Sequence, residues 1–177
     1  MLQGELVTLR ARWAADVPVL QAELHDDVAT HIRADSRPWR PISPGSEASP
    51  YAVSNVRDDA AAFSVVELAT GKLAGEAVLW GINTHHRNAH IGIALVSDCR
   101  GRGLGLDTVR VLCHYGFAIL GLHRLQLETA TDNEAMRRTA GQAGFSLEGV
   151  QREAFWTDGR FVDDAIFGLL AADRPAP

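Results

Sequence analysis

The sequence predicts a mixed α/β fold: a mainly antiparallel sheet of about seven strands flanked by helices. Three observations carry that prediction. Strand-like apolar runs at 63–68, 73–80 and 89–96 follow one another across short connections, as in an antiparallel meander. Residues 106–120 then place apolar side chains at 106, 109, 112, 113, 116, 117 and 120, the steps of one broad helical face. That helix stands between strand-like runs 89–96 and 125–130, a β-α-β arrangement that makes the sheet mixed. Two further runs, 147–155 and 162–170, flank the turn Thr157-Asp158-Gly159-Arg160.

The other elements follow in order. Leu6–Arg12 reads as a first strand. Asp16 reads as an N-cap with Pro18 in the first turn, and Leu20, Leu24 and Val28 fall on one helical face. Residues 38–54 contain Pro38, Pro41, Pro44, Pro50 and Gly45, the composition of a long irregular loop acting as a surface lid. Gly81–Asn88 joins two strands as a hairpin. Gly121 ends the long helix as a C′ residue. Thr131 and Glu134 have capping-box spacing for a short helix to Ala143, and Gly144 stops it. Residues 1–177 read as one domain with a short tail at 171–177.

Composition narrows the function. A net charge of −5 argues against a general nucleic-acid binder and favours a cationic partner. No run reaches ~18 apolar residues, so no membrane partner is expected. The start MLQGELVTLR carries Glu5 and lacks the apolar stretch of a secretory leader, so the expected location is cytoplasmic. Cys99 and Cys113 are the two cysteines and read as buried apolar filler.

The sharpest motif is Arg100-Gly101-Arg102-Gly103-Leu104-Gly105, after an apolar strand and at the opening of the long helix. Glycines let the main chain turn tightly and approach a ligand. Free N–H groups at a helix start favour an anion, and two arginines add donors for phosphate oxygens. The residues therefore point to a diphosphate. No Gly-Lys-Ser/Thr follows, and Gly-x-Gly-x-Gly with Leu106 is not the dinucleotide fingerprint.

Arg-x-x-Gly-x-Gly in this setting resembles the coenzyme A signature of the GNAT superfamily of N-acyltransferases. Ile91-Gly92-Ile93-Ala94-Leu95, Leu122-His123-Arg124-Leu125, Asn133 eleven residues before Gly144-Phe145, Glu148-Gly149, Asp158-Gly159 and Asp163 follow in matching order. This set is similar to the branch that acetylates N-terminal amines of ribosomal proteins and related small amines. The resemblance implies a sheet splayed at the cofactor strand. Backbone groups of Ile93, Ala94, Leu95 and Val96 would hold the pantetheine arm of acetyl-CoA. Amides of Arg100, Gly101, Arg102, Gly103, Leu104, Gly105 and Leu106 would hold its pyrophosphate. Asn133 would contact the pantetheine or acetyl end, or cap its helix.

Acetyl transfer to an amine needs a base, because a protonated amine has no lone pair. The candidates are Glu76, a carboxylate on an apolar strand, and His90, near where many relatives carry a glutamate; Asp98 ranks behind both. Where relatives place a serine or tyrosine to protonate the leaving thiolate, this chain has Met136 and Ala140. Trp39, Trp80, Phe155 and Trp156 are candidates for an amine pocket, and Asp158, Asp163 and Asp164 for drawing a cation. His85-His86-x-x-x-His90 lacks a cysteine or carboxylate partner, and no metal is expected. A Cys99 acyl-enzyme has no paired base to support it. The expected reaction is direct attack of a primary amine on acetyl-CoA, with an acyl-CoA sensor as the alternative. Pairing into a homodimer is compatible with so small a domain.

Overall fold

The computed structural model describes residues 1–35, 37–43, 45–54 and 56–173. Pro44 of the expected loop and residues 174–177 of the expected tail lie outside the described residues. Among those described, eight strands form one sheet: β1 (Leu2–Gln3), β2 (Val7–Arg10), β3 (Ala60–Glu67), β4 (Leu73–Asn83), β5 (Asn88–Leu95), β6 (Arg124–Ala130), β7 (Ser146–Thr157) and β8 (Arg160–Leu170). Their order is β1-β2-β3-β4-β5-β6-β8-β7. β5 and β6 are parallel, and every other neighbouring pair is antiparallel. The predicted first strand, 6–12, contracts to Val7–Arg10, where pairing with β3 ends at Arg10↔Ser64. The short β1 brings the strand count to eight rather than seven.

The helices are α1 (Val17–Leu20), α2 (Val28–Ala34), α3 (Leu104–His114) and α4 (Glu134–Gln142). α3 continues into a wide i→i+5 turn at Tyr115–Ile119, and Gly121 follows with φ 65°. Alternation along the strands puts Leu79, Leu125, Leu127 and Leu169 on one sheet face, fully buried with Leu112 of α3 and Ala140 of α4. Over the other face, Leu20, Leu24 and Tyr51 form a smaller buried cluster, with Ala94 of β5 packed against it.

Three local expectations are corrected. Asp16 does not cap α1 through its side chain. It reaches back instead, accepting the Trp13 N–H at 2.8 Å, two Arg10 bonds at 2.6 and 2.9 Å, and the Ser64 hydroxyl at 2.8 Å. Leu20, Leu24 and Val28 do not share one helical face. Gln21–Asp26 is a π-helical turn, Asp27 caps a new helix at Thr30, and Val28 is left 42% exposed. Thr131 forms no capping box; Asn133 is the N-cap of α4, its Oδ1 accepting the Met136 N–H at 3.2 Å.

Candidate active site

β5 and β6 pair at Asn88↔Arg124, Ala89↔Leu125 and His90↔Gln126, and then part. β5 continues to Leu95 along β4, while β6 continues to Ala130 along β8. Between them opens a wedge in the sheet. Among the described residues, no strand pairs with the β6-facing edge of Ile91–Leu95. Unpaired strand-edge N–H and C=O groups can accept an extended ligand as an added strand.

At the end of β5 the chain makes a tight turn, Ser97–Cys99, and then enters the glycine loop. Gly101 (φ 71°) and Gly103 (φ 81°) adopt the left-handed conformation that disfavours other residues, and Gly103 is the N-cap of α3. The first amides of α3, at Leu104, Gly105 and Leu106, have no intrahelical acceptor and carry the positive end of the helix dipole. Gly105 packs the loop on β5: a Cβ there would lie 3.6 Å from Ile93 Cδ1 and 3.7 Å from Leu95 Cδ1. Both arginines are exposed but engaged with protein partners. Arg100 donates to Leu95 O at 2.9 Å and to Thr30 Oγ1 at 3.2 Å, so the Leu95 carbonyl already has a donor. Arg102 pairs with buried Glu67.

The helix start itself is anchored by a residue that the sequence reading passed over. The Asp107 carboxylate accepts N–H bonds from Glu5 at 3.2 Å, Leu6 at 2.7 Å and Val7 at 2.9 Å. A Cβ at Gly4 would lie 2.4 Å from its Oδ2, so the N-terminal turn closes on Asp107 through a glycine.

The two candidate bases share a sheet face but not a site. Glu76 sits across from Ala94, while Trp80 sits across from His90, four residues and about 13 Å farther along the ladder. Glu76 is committed to Arg12, Nη2 to Oε2 at 2.8 Å, with the Arg12 guanidinium 5.4 Å from the Tyr51 ring. Burial pushes the Glu76 carboxyl above its ordinary pKa, and Arg12 opposes that shift. Burial likewise pushes the Tyr51 phenol up, reinforced by Glu76 and Asp35. His90 stands at the point where the strands part. Trp80 stacks on its ring at 4.2 Å, and its Nδ1 lies 3.4 Å from Glu128 Oε1. The neighbouring His90 ring and a hydrogen bond from Gln126 hold the Glu128 carboxyl below its ordinary pKa against its burial. Sequence reasoning missed Glu128. Its signal was parity: it alternates with buried Leu127 and Thr129 and so shares His90's face.

The sequence of the acetyltransferase (GNAT) domain family matches residues 7–146. The chain belongs to the GNAT family. Over 109 residues it is 32% identical to the spermidine N(1)-acetyltransferase of Vibrio cholerae, aligning 62% of this chain with 63% of that one. Over 101 residues it is 30% identical to YoaA, an uncharacterised N-acetyltransferase of Bacillus subtilis, aligning 57% of each. The chain thus matches under two thirds of the length of either relative. The likeness of fold is wider. The crystal structure of the Vibrio cholerae spermidine N-acetyltransferase in complex with CoA and spermine superposes with a TM-score of 0.83 at 24% identity, covering 95% of this chain and 97% of that one.

The remaining expected GNAT site residues are dispersed. Both polar ends of Asn133 are engaged, Oδ1 as the α4 cap and Nδ2 donating to Thr129 Oγ1 at 3.1 Å. Met136 packs against the core and Ala140 is fully buried, so neither presents a hydroxyl to the cleft. Trp39 donates from Nε1 to His25 O at 2.9 Å, away from the wedge. Trp156 is exposed on the β7–β8 hairpin against Phe161, and Phe155 precedes it on β7. The three tryptophans therefore do not line one pocket, and only Trp80 touches a candidate base. Asp163 accepts the Glu153 N–H at 2.9 Å, and Asp158 forms the left-handed turn with Gly159. Asp164, on β8, is pushed up by burial and then by Glu128. The rings of His85 and His86 meet at 4.8 Å, away from His90 on Trp80. Cys99 is buried, and burial pushes its thiol up, which disfavours the thiolate. A cavity of about 420 Å³ opens at the far end of β4, lined among others by Ile82, Arg87 and Tyr115; it shares no residue with the wedge.

Proposed function

We propose that this protein transfers an acetyl group from acetyl-CoA to a primary amine by direct attack in a ternary complex. The observation that carries the reading is the wedge between β5 and β6, which runs from the glycine loop at the start of α3 to His90. One line accommodates all of acetyl-CoA's reactive half. The pyrophosphate meets the amides of Gly101–Leu106. The pantetheine arm lies as an added strand along Ile93–Val96, and the thioester reaches Gly92 and His90. Arg100 and Arg102 brace the loop through Leu95, Thr30 and Glu67. The base reading falls on His90, since Glu76 is engaged by Arg12 and stands opposite Ala94, away from Gly92 and His90. Val96 N already donates to Ala74 O at 3.0 Å, and Leu95 lies about 10 Å along the strand from Gly92, so a main-chain N–H on the wedge edge near Ile93 would polarise the carbonyl in this pose. With Met136 and Ala140 in place of a hydroxyl, the thiolate takes its proton from the attacking nitrogen or from water.

The likeness to spermidine N-acetyltransferases supports an amine acceptor and puts polyamines first among those to try. The test has two steps. Thermal stability is measured with acetyl-CoA, CoA, ATP and NAD at equal concentrations. A ligand at ~100 times its Kd adds ~2.7 kcal/mol, several degrees for a chain of this size. Thiol release is then followed with spermidine, spermine, butylamine and a peptide with an N-terminal alanine. Stabilisation by the two CoA species alone, followed by amine-dependent thiol release, is the expected result. Stabilisation without turnover on any amine would leave an acyl-CoA sensor. A larger rise with ATP would overturn the reading of the loop.

A further inference from the structure

We infer that Glu128 and His90 form one acid–base unit in which Glu128 docks the acceptor's ammonium and His90 keeps the proton it gives up. The inference rests on the acetyl-transfer reading above and deepens it. Two observations place the pair. The last parallel bridge of the sheet is His90↔Gln126, so Glu128, two residues on, is the first β6 side chain on His90's face beyond the point where the strands part. Across the gap stands Gly92, which offers no side chain to fill it. Glu128 therefore borders the stretch of wedge that the thioester would reach.

The contacts divide the carboxylate in two. His90 Nδ1 and Gln126 Nε2 both face Oε1. Among the described residues, nothing is bonded to Oε2, and the side chain is 34% exposed. One oxygen is held, and the other is open to a donor from the cleft. His90 Nδ1 is buried and lies within ion-pair range of Oε1, outside strict hydrogen-bond geometry, with no other partner. Such contacts tighten when substrate arrives. The other charged groups facing the pair are Asp164 from β8 and, beyond Gln126, the Arg124–Glu148 ion pair that ties β6 to β7. Asp164 leaves one buried oxygen without a partner. It adds negative potential on the side from which a cation would enter.

The step balances. The acceptor's ammonium donates an N–H to Oε2. That N–H bond breaks, its electron pair stays on nitrogen, and the proton passes through water to His90 Nε2, the ring nitrogen turned from Glu128, leaving an imidazolium whose Nδ1–H faces the carboxylate. The lone pair forms the C–N bond at the thioester carbonyl. The C–S bond breaks with its pair on sulfur, and the second nitrogen proton neutralises the thiolate. The imidazolium releases its proton to water, so amide, thiol and one proton leave.

The test uses the full chain with acetyl-CoA and the panel amine that the wild type turns over fastest, comparing Glu128→Gln, His90→Gln and the double variant from pH 6 to 10. Each single variant is expected to lose ~10²-fold in kcat near pH 7, and the double variant no more than either. The deficit should shrink as pH rises, because a free amine needs no base; a merely structural role would give a deficit independent of pH. Stabilisation by CoA, measured on each variant, should match wild type and shows that the fold and cofactor end are intact. Wild-type kcat and pH dependence in Glu128→Gln, or multiplying losses in the double variant, would overturn the unit while leaving acetyl transfer standing. A wild type inert toward every amine would instead overturn the reaction itself.

Discussion

The two ends of the wedge are built in different ways. The loop end is mostly local: residues 93–108 supply a strand edge, two left-handed glycines and a helix start, and the groups it offers a ligand are main-chain. The acceptor end is assembled from distant segments. His90 meets Glu128 there, and elsewhere along the cleft Arg12 meets Glu76 opposite Ala94 and Arg33 meets both Asp132 and Asp158, each through side chains. Main-chain donors on a helix start serve any diphosphate and tolerate drift in neighbouring side chains. A side-chain assembly can be changed one residue at a time. The first design suits a fixed diphosphate group, and the second suits a ligand whose recognition can change with few substitutions.

The largest expected effect comes from breaking the longest-range tie at the loop end. Asp107→Ala removes the acceptor of three N–H groups, the Val7 contact fully buried. Leaving buried donors unsatisfied costs about 1–3 kcal/mol each, so a loss of roughly 3 kcal/mol is expected. That lowers Tm by ~6–12 °C for this chain length. A change below 2 °C would mean that the N-terminal turn does not hold α3. Gly103→Val comes next and acts on the loop itself. A β-branched residue at φ 81° costs ~1–3 kcal/mol and turns the α3 amides off line. CoA stabilisation should disappear while the fold persists. Retained stabilisation would show that the loop conformation is not required.

Legibility from sequence follows the same division. The strands, α3 and the glycine loop were readable because alternation, helical steps and glycine positions are local signals. The N-terminal helical segment was not. Leu20, Leu24 and Val28 fit one helix face, yet Gln21 bonds Asp26, Ser49 bonds Gln21, and His25 and His31 bond the Arg40 and Arg37 carbonyls. These tertiary bonds favour a π-helical turn and a new cap at Asp27, which rotates Val28 outward. Propensity contains nothing of that. Nor did the candidate bases declare their partners. Arg12 lies 64 residues from Glu76, and Glu128 belongs to His90 only through the pairing of two strands separated by a helix.

The acceptor end's foundation has a pH signature. Burial pushes the Asp16 carboxyl up, but Arg10, the Trp13 N–H and Ser64 outweigh it and take it down to about 2. A carboxylate with a depressed folded pKa stabilises above its unfolded value near 3.8 and loses that contribution as pH falls through about 2. The contribution is on the order of 2 kcal/mol. Asp16→Asn should therefore be less stable than wild type at pH 6, with the gap closing between pH 4 and 2. Urea unfolding at four pH values measures it. A gap that stays constant across that range would assign the loss to packing rather than charge.

The smallest effect sharpens the comparison most. Arg33 on α2 bonds Asp132 at 2.9 and 3.2 Å and reaches Asp158 at 3.9 Å, joining α2 to the β6–α4 connection and the β7–β8 turn over the acceptor end. The pairs are more than one third exposed, so Arg33→Ala should cost under ~1 kcal/mol and shift Tm by no more than ~3 °C. Its consequence lies in the cleft. Freed from Arg33, Asp132 and Asp158 add negative charge at the mouth, and α2 loses a tether. The KM for a cationic amine should change while the KM for acetyl-CoA does not, and the change should fade as salt screens the mouth. Equal changes in both constants would mean that the two ends are mechanically coupled through α2, whose Thr30 touches Arg100 of the loop.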